Sequence, residues 1–286
     1  MPNVDRFESM FRAAQREVFQ HRPVEIASVL VVTDRDEQGA KRFGETVRGF
    51  LHILSVDGAI AWRDVNGSEF HTAGDLLELI DSTKPGLICT YRNLHSGAWK
   101  LPYSLGDHLD LLTQHTSVPV MVLPHPEAQR SAEHALKTTK KVMAITDHLA
   151  GDQHLVNCAV RFTAEGGTLW LTHVEDEATF ERYIEAVSKI PTIDTDEARK
   201  TIGEQLLKDP REFIAGIREI LRGEGLSLSV EAQVTFGHHL SEYRSLIEQH
   251  KVDLLVLNTK DEDQLAMHGI AYELAVELRH IPLLML

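Results

Sequence analysis

Apolar residues fall along this chain in short blocks, separated by polar loops and by segments of helical period. Leu254 to Leu257 is one such block. A polar loop follows it, Gly269 opens a segment of helical period, and Leu283 to Leu286 closes the chain on a second apolar run. That order reads as strand, loop, helix, strand. Runs this short and this apolar are expected of parallel strands buried on both faces. The same phrase occurs between Gly86 and Leu123, where the interval from Gly106 to Pro119 equals that from Gly269 to Pro282. Matching segments, SVLVVTD ending at Asp34 and KVMAITD ending at Asp147, precede the two phrases. An internal duplication is predicted.

The duplication divides the chain into an N-terminal segment 1–25, a first copy 26–124, a linker with a short helix 125–139 and a second copy 140–286. In the N-terminal segment Val4, Phe7, Phe11, Ala14 and Val18 recur at intervals of three and four, an amphipathic helix that packs on its own domain or meets a partner. The first copy carries helices with faces Phe43, Val47, Phe50, Leu51, Leu54 and Leu76, Leu77, Ile80, around the strand at AIAWRDV. It is shorter than the second by about one strand–helix unit, so its sheet is expected to lack one strand. In the second copy a helix begins near Asp152, Gly166-Gly167 turns into the strand TLWLTHV, and helices are expected over 178–190 and 211–221. LSLSVEAQVTF alternates as a strand.

The sequence of these elements resembles the universal stress protein family over nearly the whole chain, as a tandem pair. The residues that carry the likeness are the Asp-terminated first strands, His173-Val174, Gly237 before a helix, VDLLVL, Gly269 and the Pro-led last strand. The resemblance implies an α/β fold: a three-layer, open, mostly parallel sheet of Rossmann-like type. It also implies either ATP binding or its loss.

Family members that bind ATP carry a loop of glycine, two residues, glycine, nine residues, then Gly with Ser or Thr, which lets backbone amides approach phosphate. Here Asn258 and Asp261 stand at the first two glycine positions, Ile270 follows Gly269, and the spacer is shorter than the pattern. Asp261, Glu262 and Asp263 place carboxylates where phosphates would lie, so the motif is degenerate. In the first copy the corresponding loop offers Arg92, His95, Ser96, Gly97 and Lys100, a set suited to an anion and equally to a solvated surface loop. Asp107 follows Gly106 there in place of Ser or Thr. Asp34 and Asp147 stand where the family's adenine-proximal aspartate does and serve either a ligand or a helix N-terminus. Val174 would lie beside a nucleoside.

Composition adds limits. A formal charge of −14 argues against nucleic-acid or anionic-membrane partners, which need clustered cations. Neither a leader nor a membrane-length apolar run is found, so a cytoplasmic location is expected. Cys89 and Cys158 read as small core residues. The 16 histidines do not assemble metal-ligand spacing, and no nucleophile elbow or Walker loop occurs. The expectation is a non-catalytic regulatory or ligand-binding module in stress response, a homodimer with a small anionic or adenylate ligand. No cofactor is required, although ATP or AMP stays open; the alternative is an adenylate-binding protein with slow ATPase or phosphotransfer activity. The final strands, VPVMVL and IPLLML, are expected to pair antiparallel within one chain.

Overall fold

The computed structural model describes residues 18–286 apart from 57, 102, 129–131, 146–151 and 260–268. The predicted N-terminal helix lies outside the described residues except at its last positions. There Val18 and Phe19 are not helical, Val18 exposed and Phe19 buried.

In chain order the elements are β1 (Ser28–Val32), α1 (Glu37–Phe50), β2 (Ala61–Val65), α2 (Ala73–Thr83), β3 (Leu87–Tyr91), α3 (Asp107–His115) and β4 (Val120–Leu123). They continue with β5 (Lys141–Ile145), α4 (Gln153–Phe162), β6 (Gly167–Asp176), α5 (Glu177–Val187), α6 (Thr195–Gly223) and β7 (Leu228–Gly237). Last come α7 (His239–His250), β8 (Leu254–Leu257), α8 (Gly269–Glu277) and β9 (Leu283–Met285). Short 3₁₀ turns occupy His52–Val56 and Gly97–Lys100. The described residues of 125–139 hold turns rather than a helix.

Among the described residues the strands form one 9-stranded sheet in the order β2-β1-β3-β4-β9-β8-β5-β6-β7. Every neighbouring pair is parallel except β4 and β9, which run antiparallel with Val120 opposite Met285, Met121 opposite Leu284 and Val122 opposite Leu283. Helices flank the sheet, giving the three-layer α/β fold expected. The central strands β3, β4, β8 and β9 are buried at every position, as strands covered on both faces must be. The edge strands β2 and β7 keep exposed positions. At the β2 edge Arg48 lies 5.2 Å over the Trp62 ring and 2.9 Å from Asp64, which places charge on a row of unpaired backbone groups.

The prolines that lead β4 and β9 have the same task. Each accepts a hydrogen bond from the neighbouring strand through its carbonyl, Ile88 N to Pro119 at 3.0 Å and Leu255 N to Pro282 at 3.1 Å. Being first in the strand, neither needs an N–H.

Two further sequence expectations are corrected. Helix α6 starts at Thr195, not near Arg211, and runs through Pro210. A proline inside a helix costs about 3 kcal/mol. Here Asp194 caps the start through Asp196 N and Glu197 N, both at 3.0 Å, and Ile214, Ile217 and Leu221 bury the last turns. Strand β6 also continues past Val174 to Asp176, because β7 pairs with it all the way to Gly237.

Candidate functional site

Because β4 and β9 are antiparallel, the strands before that seam and those after it point in opposite directions, so their carboxyl ends lie at opposite ends of the sheet. Their carboxyl-end crevices are therefore separate. Residues from the two runs meet along the seam, where the carboxyl end of β4 lies beside the amino end of β9.

At the carboxyl ends of β1 and β3, Asp34 is bonded to the protein itself. One carboxylate oxygen accepts from the Tyr91 hydroxyl and the other from His95 N at 2.8 Å. The Tyr91 hydroxyl also lies 2.5 Å from Thr33 Oγ1. Tyr91 is wholly buried, and burial together with the Asp34 bond pushes its phenol pKa up. Asp34 is not the helix cap: Asp36 is, accepting from Gly39 N at 2.7 Å.

The loop that follows β3 is held by its own contacts. Asn93 and His95 adopt positive φ, 58° and 56°. Asn93 N donates to Leu105 O at 2.8 Å. Gly106, with φ 89°, is required by this packing, since a Cβ there would come within 2.7 Å of Asn93 Cα. Ser96 caps the 3₁₀ turn by accepting from Ala98 N at 3.1 Å, and Gly97 beside it is exposed.

Around this loop aromatic rings and imidazoles gather. Phe70 meets His95 at 4.8 Å and His108 at 5.6 Å, and His95 meets His108 at 5.6 Å. His108 is buried, and burial followed by the nearby His95 lowers its pKa. His125 stacks on Trp99 at 4.2 Å with ring planes 9° apart, and its pKa too is lowered by burial.

In the second run, Asn258 Nδ2 donates to Asp152 Oδ2 at 2.5 Å, while Asp152 Oδ1 caps α4 through Leu155 N at 3.0 Å. Thr259 N and Oγ1 both donate to the Leu286 carbonyl, at 2.9 and 2.7 Å. The Val174 carbonyl accepts from His239 Nε2 at 2.8 Å. Gly269 begins α8. Asp147, Asp261, Glu262 and Asp263 lie outside the described residues. Among the described residues no group of three or more His, Cys, Asp or Glu could hold a metal ion. No helix among them is long and apolar enough to cross a membrane.

One cavity among the described residues lies at the seam. It has a volume of about 300 Å³ and is bounded by Arg92, Trp99, Lys100, His125, Glu127 and Arg279. Arg92 leaves the end of β3, His125 and Glu127 follow β4, and Arg279 stands between α8 and β9. Of the residues singled out from sequence, Arg92 and Lys100 reach this cavity and the others do not line it. Trp99, His125 and Arg279 carried no signal of their own. The pairing of the two final strands was the available clue, since it brings the residues after Leu123 close to those before Leu283.

Among solved structures, a functionally unknown protein from Pseudomonas aeruginosa PAO1 matches with 14% identity over 91% of this chain and 92% of its own, at TM-score 0.46. A universal stress protein from Archaeoglobus fulgidus DSM 4304 matches with 12% identity over 99% and 90%, at TM-score 0.49. No family model and no curated protein matches the chain. At these identities and TM-scores neither likeness carries function across, so the functional reading rests on the residues described above.

Proposed function

We propose that this chain is a tandem universal stress protein that works as a non-catalytic regulatory or ligand-binding module in stress response. The observation that carries the reading is that polar groups at both carboxyl-end crevices are already bonded within the protein. Asp34 is taken by Tyr91 and His95, and Asn258 by Asp152. A nucleotide that took these half-buried groups as its partners would have to displace the bonds they already make, so part of what it gained would be lost again.

The tandem reading is supported by strand order. Counted outward from the seam, β4-β3-β1-β2 is matched by β9-β8-β5-β6, with β7 as the additional strand of the second copy. With the two final strands paired to each other, homodimerisation would use another surface. The expected compartment is the cytoplasm.

Isothermal titration of the full chain with ATP tests the reading, and no submillimolar binding is expected. Submillimolar binding that a substitution at Asn258 or Gly269 abolishes would instead favour the adenylate-binding alternative.

A further inference from the structure

We infer that the cavity at the β4–β9 seam binds a small organic dianion, its charged oxygens held by Arg92 and Arg279 and its body lying against the Trp99–His125 wall. This goes beyond the module proposed above and does not depend on it.

The first observation is Arg92. Its residue is 6% exposed, yet among the described residues no carboxylate pairs with it. Its Nη2 donates to the Leu278 carbonyl at 2.7 Å, and its Nε, also buried, has no hydrogen-bond partner among the described residues. Taking an ion out of water without a counter-ion is strongly unfavourable, and a buried cation is ordinarily paired. Burial, with the charge of Arg279 beside it, draws the guanidinium pKa down to about 9, so it is still cationic at neutral pH.

The second observation is the charge balance of the lining. Among the described residues Arg92, Lys100 and Arg279 share the cavity with one carboxylate, Glu127, which is engaged by Arg35 at 2.8 Å. The surrounding protein carries a formal charge of −14, so this is a local reversal of sign. Paired guanidiniums suit oxyanions because each offers a planar fork of donors.

The third observation is shape. The stacked Trp99 and His125 rings line one side of the cavity, and about 300 Å³ exceeds what an inorganic anion needs, reaching the lower range of small-molecule sites. Charge and wall together select an organic dianion. A phosphomonoester and a dicarboxylate both have that chemistry.

The test uses the full chain with inorganic phosphate, AMP and succinate, each against sodium chloride at matched ionic strength, followed by thermal shift and titration calorimetry. At least one of the dianions should raise the melting temperature saturably while chloride does not. Preference for AMP or for succinate then tells phosphomonoester from dicarboxylate. Arg279→Gln and Lys100→Gln should each weaken binding by about tenfold or more. Arg92 also anchors Leu278, so Arg279→Gln is the primary variant. Glu127→Gln should tighten binding severalfold, which a merely structural role for these residues would not produce. The inference is overturned if no dianion exceeds chloride, or if Arg279→Gln binds as the wild type does. AMP binding that responds to Asn258→Gly and not to Arg279→Gln would also overturn it, by locating the ligand in a crevice instead.

Discussion

Pairing of β4 with β9 turns two runs of parallel strands into one sheet, and a double-mutant cycle measures it. Val122 and Leu283 are register partners, 1% and 0% exposed, so their side chains lie on the same face of the sheet. Val122→Ala removes two methyl-sized groups, worth about 0.8 kcal/mol each in transfer free energy. The cavity left behind brings the loss to about 2–3 kcal/mol. Leu283→Ala, at a site with no exposed surface, should cost about 3–4 kcal/mol. Because the two truncations would open one shared cavity, the double variant should lose less than the sum, by about 0.5–1 kcal/mol. Urea denaturation followed by far-UV circular dichroism and tryptophan fluorescence gives the four stabilities. Val230→Ala in the distant strand β7, combined with Leu283→Ala, serves as the control and should be additive within about 0.5 kcal/mol. If Val122 and Leu283 are as additive as that control, their side chains do not meet and the seam is misplaced.

Removing residues 283–286 should cause aggregation or loss of folded protein, because it deletes three fully buried strand residues and bares the β4 edge; size-exclusion chromatography and melting temperature report it. Gly106→Ala should destabilise by about 1–3 kcal/mol in urea titration, since its φ is 89° and the new Cβ would press on Asn93. Stability should also fall with acid. His108, His125, His250 and His280 all have pKa values lowered in the fold, mainly by burial, so in the window below the unfolded value of about 6.5 the unfolded chain binds more protons. The urea midpoint should drop between pH 7.5 and pH 5.5, and His108→Gln should flatten that slope. Asp110 and Asp253, raised by burial, act oppositely nearer the carboxylate range, so a rise in stability across the histidine window would refute the assignment.

Much of the architecture is written in local pattern. Unbroken apolar runs at Leu254–Leu257 and Val120–Leu123 need no knowledge of neighbours to be read as strands covered on both faces, because burial on both faces is what removes the alternation. The repeated interval from glycine to proline gave the two matching phrases, and proline at the head of a strand follows from its missing N–H. Helix α6 was only half legible, since Pro210 is a local stop signal that capping at Asp194 and burial of Ile214 and Ile217 override.

The candidate site shows the opposite case. Sequence could put Asp34 at the end of a strand, but whether its carboxylate is free depended on where Tyr91 and His95 came to lie, on another strand and its loop. Likewise Arg92 and Arg279 are ordinary cations until the antiparallel seam places them beside the same cavity and buries one of them with no carboxylate partner among the described residues. The chain alone determined the period, the punctuation and hence the layers, because those follow from residues near in sequence. Tertiary structure alone decided which polar groups are satisfied, because hydrogen-bond partners and burial are set by segments far apart in the chain.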